Sequence, residues 1–165
     1  MKRITIAIIL LLAGAIFSYA TTKEIQFRLV LTEEEAKTVT NQKYEFVPKQ
    51  DQKPESILIG KDVFLTNKDI QGIAILKDYL DPAKNYPLLD IAFTKEGSLK
   101  LKEVTEKNLR KQLAILVDNE ILMVPYIVFP LKSGHIKIKS WKIPTNEAAK
   151  NFVKDLGFST EPRQQ

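Results

Sequence analysis

The single histidine, His135, follows Ser133 and Gly134, a pairing of residue types that can supply a nucleophile and its base. Neighbours in one turn rarely bring a hydroxyl onto an imidazole, and no Gly-x-Ser-x-Gly elbow is present to lift the serine out. The run therefore reads as a solvated turn. Asp78 with Asp81 could share acid and base duties, but the pair flanks a proline-containing connection and reads as solvated loop. One histidine, no cysteine and no acidic loop of calcium spacing leave a metal without a ligand set. Six scattered glycines form no phosphate-cradling loop. The expectation is a protein that is not an enzyme and holds no cofactor or metal.

The residues with more to offer are those suited to contact. Lys132, Lys137, Lys139 and Lys142 form a basic strip beside the one tryptophan, Trp141. Such a strip can meet anionic lipid headgroups or an acidic partner. It can equally protect an edge strand from aggregation. Residues 121–129 are apolar but carry Pro125, which cannot donate to a ladder, so they read as an edge or bulged strand. An edge of this kind can add an extended peptide as a further strand, with Met123, Tyr126 and Phe129 as contact residues. The alternative places those three side chains in the core.

The elements that would carry these residues follow from periodicity. Ile25, Phe27, Leu29 and Leu31 alternate with Glu24, Gln26 and Arg28, which predicts a half-buried strand. Thr32 and Glu35 have capping-box spacing. Residues 32–56 are mostly polar, and read as a variable, loop-rich stretch with a short helical turn and a brief strand at 44–47. Apolar pieces at 57–60 and 63–66 flank a turn, and strands are expected at 70–76 and 88–93. Residues 95–108 fit a strand or a ragged helix, because Gly97 weakens the helix. Strands at 114–118 and 120–129 flank an Asp118-Asn119 turn, and 135–140 alternates with Ile136 and Ile138 inward. Thr145 is a good N-cap for a final helix whose apolar face is Ala148, Ala149, Phe152, Val153 and Leu156, with Gly157 as its stop. Antiparallel strands with two segregated helices define an α+β fold.

Lys2 and Arg3, an apolar run over 4–17 and the Ser18-Tyr19-Ala20 site make residues 1–20 a signal peptide, or else an uncleaved anchor. The rest is then exported to the periplasm or cell envelope. The absence of cysteine excludes disulfides and a lipid-modified cysteine. Residues 21–158 are expected to form one domain and 159–165 a flexible tail. The 25 basic and 20 acidic residues give a net charge of +5, which falls to +3 without Lys2 and Arg3 and is too mild for a nucleic-acid footprint.

In order, the chain reads YPLLDIAFTKEG, TEKNLRKQLAILVDNEILMVPYIV, SGHIKIKSW and TNEAAKNFVKDLG. This succession resembles the head of the large first periplasmic domain of SecD and SecDF, accessory subunits of the preprotein translocase. EIQFRLVL and VFLTNKDIQGIAILKD resemble that head's opening strand and its Leu-Thr-Gly-x-Asp-Ile segment, with Asn67 at the glycine position. Asparagine tolerates the positive φ that such a glycine allows. Asn108, Lys111, Asp118, Pro125, Gly134, Glu147 and Ala148 match the family order. Arg110, Asn119 and Ser140 stand where the family has glycine, which suggests loops that differ. The resemblance implies a helix over 95–108, and turn, cap and core roles for the matched positions. It also implies a role in protein export. No apolar run after residue 20 is long enough to cross a membrane, so the expectation is a diverged, stand-alone head. Its partners would be exported polypeptides or translocase components, not nucleic acid, with the lysines bringing it near the membrane surface. The alternative is a structural or interaction subunit of a cell-envelope assembly.

Overall fold

The computed structural model describes residues 22–47, 52–76 and 86–159. Residues 1–20, expected to be a signal peptide, Asp78, Asp81 and all but the first residue of the expected tail lie outside the described residues. Strand β1 (Ile25–Leu31) is the organiser. Its inward residues Ile25 and Phe27 are fully buried and Leu29 nearly so. Phe27 meets Phe93 edge-to-face, with ring centroids 5.6 Å apart.

Eight further strands follow: β2 (Asn41–Phe46), β3 (Glu55–Gly60), β4 (Leu65–Thr66), β5 (Ile70–Leu76), β6 (Leu88–Phe93), β7 (Leu113–Val117), β8 (Glu120–Met123) and β9 (His135–Ile138). One sheet runs β2-β3-β1-β7-β8, with β4 also on β1; the second runs β5-β6-β9. Every pairing is antiparallel. Helix α1 (Lys95–Lys107) packs near β4 and β6, and α2 (Asn146–Asp155) against β5. The fold is α+β, mainly antiparallel, with two principal helices.

The larger core, with Ile25, Phe27, Leu101, Ile115, Ile138 and Val153, draws on both sheets and both helices. A smaller one fills the other face of β1 and β7. There Tyr44 and Ile59 of the β2–β3 hairpin meet Ala114, Leu116 and Ile121. Arg28 is 8 % exposed in this region. Its guanidinium donates to the Tyr44 hydroxyl at 3.4 Å and to the Gln26 side-chain oxygen, while Nε has no partner among the described residues.

Several expectations change at the boundaries. The brief strand at 44–47 is the longer β2, and with β3 it makes a hairpin inside and just beyond the 32–56 stretch. The strand expected over 120–129 ends at Met123, because residues 124 onward leave the ladder before Pro125. The strand over 135–140 ends at Ile138. Asn67 does not use a positive φ; it begins a 3-10 turn, and its side chain ties three segments together. Its Oδ1 accepts from the Ile25 N–H at 2.7 Å, and its Nδ2 donates to the carbonyls of Lys23 and Leu156 at 2.8 and 3.0 Å. Two of the missing glycines leave the backbone unchanged in kind, since Arg110 and Asn119 hold φ of 67° and 65°. Such left-handed backbone costs an ordinary residue about 1–2 kcal/mol.

Candidate functional site

The turn between β7 and β8 puts both central residues at positive φ, 48° at Asp118 and 65° at Asn119, as a two-residue type I′ hairpin requires. Asp118 also accepts from the Glu24 N–H at 2.9 Å, locking the hairpin to the start of β1. This makes β8 the edge of the first sheet. Beyond Met123 the chain stays alongside the β7 side without regular pairing. The Leu113 N–H donates to the Pro125 carbonyl at 2.9 Å, and the Ile127 N–H to the Lys111 carbonyl at 2.8 Å. These bonds flank a bridge between Gln112 and Tyr126, so the Tyr126 N–H and C=O point away from Gln112.

The edge is not uniformly open. Lys142 Nζ donates to the Ile121 carbonyl at 2.7 Å, and Ser140 Oγ to the Leu122 carbonyl at 3.1 Å. The Lys142 ammonium also lies 5.9 Å from the Trp141 ring centroid. β9 is an edge of the second sheet. Between it and the segment after β8 lies an apolar hollow of about 160 Å³. Leu113, Met123 and Ile127 line one side; Leu131, Ile136 and Ile138 line the other. Tyr126, Val128 and Phe129 also line it, yet are 67 %, 76 % and 64 % exposed. The three neighbouring side chains form an exposed apolar patch beside the hollow.

Of the three residues singled out for contact, Met123 packs half-buried against the core, while Tyr126 and Phe129 stand exposed beside the hollow. Val128, the most exposed of the group, carries no signal in the sequence beyond its place in an apolar run. The four lysines divide. Lys142 caps the β8 edge, Lys139 is engaged elsewhere, Lys137 lines the hollow and Lys132 is exposed just after Leu131.

The motif positions serve structure. The Asn108 side chain caps α1 by donating to the Val104 carbonyl at 2.9 Å. Lys111 Nζ lies 2.7 Å from Glu35, whose carboxylate also receives the Thr32 N–H at 2.9 Å. That pairing with Lys111, reinforced by the Thr32 backbone, lowers the Glu35 pKa from 4.5 to about 2. Gly134 has φ +70°, and its carbonyl accepts from the Phe93 N–H at 2.9 Å. Glu147 lies in the exposed first turn of α2, and Ala148 packs half-buried on the core.

Ser133 Oγ bonds the backbone of His135 at 3.3 Å, while the imidazole faces Asp90 at 3.3 Å. The hydroxyl and the ring thus serve different partners. No group of three or more metal-ligating side chains occurs among the described residues. Among them also, no helix is long and apolar enough to cross a membrane.

Two antiparallel sheets and two helices define an α+β domain with an apolar hollow at the sheet edges. The model of the SecDF P1 head subdomain matches residues 37–153, and the chain belongs to that family. It is 29 % identical over 92 residues to the protein translocase subunit SecD of Acidaminococcus fermentans, a match covering 52 % of this chain and 22 % of that protein. The chain thus spans about a fifth of that relative's length. The crystal structure of SecDF in a super-membrane-facing form matches 86 % of this chain and 20 % of its own, with a TM-score of 0.60 and 22 % identity. The structure of the membrane component SecDF that enhances protein export matches 88 % of this chain and 70 % of its own, with a TM-score of 0.58 and 21 % identity. Both likenesses speak to the fold.

Proposed function

We propose that this domain acts in protein translocation, outside the cytoplasm, by holding extended segments of exported polypeptide at the hollow between β8 and β9. The observation that carries this is the exposed trio Tyr126, Val128 and Phe129 around an apolar hollow, next to outward backbone groups at Tyr126. An unfolded chain offers apolar side chains and free backbone groups together, and this surface answers both without reading sequence closely. Family membership supplies the export context. The domain contributes binding, not bond chemistry, and its targets are protein.

Fluorescence anisotropy with a labelled unfolded secretory polypeptide tests this. Tyr126→Asp and Phe129→Asp should each weaken binding about tenfold, the scale of burying one large apolar side chain. Equal affinity of parent and variants would remove the hollow from the function. A second reading, a structural subunit of an envelope assembly, draws on the capping of Ile121 and Leu122. That capping favours side-chain contacts with a fixed partner over strand addition.

A further inference from the structure

We infer that the segment taken by the hollow is acidic: an extended stretch with one large apolar residue in the hollow and a carboxylate beside it. This rests on the polypeptide-holding role proposed above and names the class of segment. The hollow's roughly 160 Å³ suits a single large side chain, since an apolar cavity of about 150 Å³ holds one benzene ring. The charge on its lining is positive. Lys137 is the charged residue of the lining, and no carboxylate lines the hollow. Lys137 and Lys132 are exposed, and among the described residues neither ammonium has a hydrogen-bond or ion-pair partner.

Asp90, which faces Lys137 across the β6–β9 ladder, turns its carboxylate to within 3.3 Å of His135 Nδ1. Lys139 and Lys142, by contrast, are already engaged. An occupant with a carboxylate on the β9 side therefore meets an unneutralised cation, and a basic occupant meets repulsion from Lys137. Complementary charge of this kind selects partners more than it adds affinity.

Three labelled peptides of identical length, each with a central phenylalanine flanked by Glu, Gln or Lys, separate the outcomes by anisotropy. The Glu peptide should bind about fivefold tighter than the Gln peptide, the size of one exposed ion pair. The Lys peptide should bind weakest, and added salt should compress the series. Lys137→Gln should remove the Glu preference, and Lys137→Glu should reverse it. Equal affinities for all three peptides on the parent protein overturn the charge preference and leave the polypeptide role standing. Binding of none overturns both. A Lys137→Gln variant that keeps its peptide preference but loses binding to vesicles of anionic lipid assigns the cation to a membrane surface and overturns the inference.

Discussion

Lys142 donates its ammonium to the Ile121 carbonyl at 2.7 Å, so the exposed edge of β8 is closed by a side chain where a neighbouring strand would pair. Ile121 sits opposite Leu116, one step beyond the turn-closing pair Val117 and Glu120, and its carbonyl points off the sheet. Ser140 treats the next carbonyl, that of Leu122, in the same way. Unpaired edges recruit other strands, and a lysine laid along one is a common protection. What stays open is the stretch after Met123, where the hollow lies.

Removing the cap tests this directly. Ser140→Ala combined with Lys142→Met should cost about 1–2 kcal/mol in chemical denaturation, from lost hydrogen bonds to a partly buried edge. It should also produce concentration-dependent self-association beyond the parent's in sedimentation velocity. A variant with unchanged stability and sedimentation would show that the two side chains do not guard the edge.

The Glu35–Lys111 pair joins the turn after β1 to the approach of β7, 76 residues away. Glu35 has a pKa lowered from 4.5 to about 2, with the Lys111 ammonium as the largest cause. A carboxylate with a depressed folded-state pKa stabilises the fold above its unfolded value and loses that contribution as pH falls. The loss should run from about 4.5 down to about 2. In an NMR titration, Lys111→Met should return Glu35 toward 4.5. A parent Glu35 already titrating there would contradict the pairing.

Gly97 occupies the first turn of α1, where a Cβ would lie 2.3 Å from the Asp69 carbonyl oxygen. That oxygen is held in place by the Thr94 N–H at 2.8 Å. Helix propensity alone predicts that Gly97→Ala stabilises by about 1 kcal/mol. The close approach reverses the sign, and thermal or denaturant unfolding should show destabilisation by about 1–3 kcal/mol. A stabilised Gly97→Ala would mean that helix and turn are further apart.

Arg28 is buried beside Tyr44 and Gln26, and among the described residues no carboxylate is a partner. Burying an uncompensated ion costs several kcal/mol even after relaxation. Arg28→Met keeps much of the volume and removes the charge, so the denaturation midpoint should rise, by about 1–2 kcal/mol in stability. A fall would show that the guanidinium is a net support for the β2–β3 hairpin.

Local features were legible in the sequence because their partners lie a few residues away. Thr32 and Glu35 form the expected reciprocal bonds, and Thr145 caps α2 through the Ala148 N–H at 3.1 Å. The Asp118-Asn119 turn and the apolar face of α2 are equally local. Gly97 misled in the other direction: it looked like a weak point in a helix, and it is the position where the helix touches a turn. The clamp by Asn67, the Lys111 ion pair and the Lys142 cap depend on register between distant strands, which spacing does not encode. The edge strand is shorter than its apolar run for a related reason. An apolar run looks the same whether it pairs, as 120–123 does, or leaves the ladder at a proline.

In-cell photocrosslinking from position 129, with secretion active and then blocked, measures the central claim most directly. The account predicts adducts with many unrelated exported chains that disappear when secretion stops. One fixed partner, captured equally in both conditions, would contradict it.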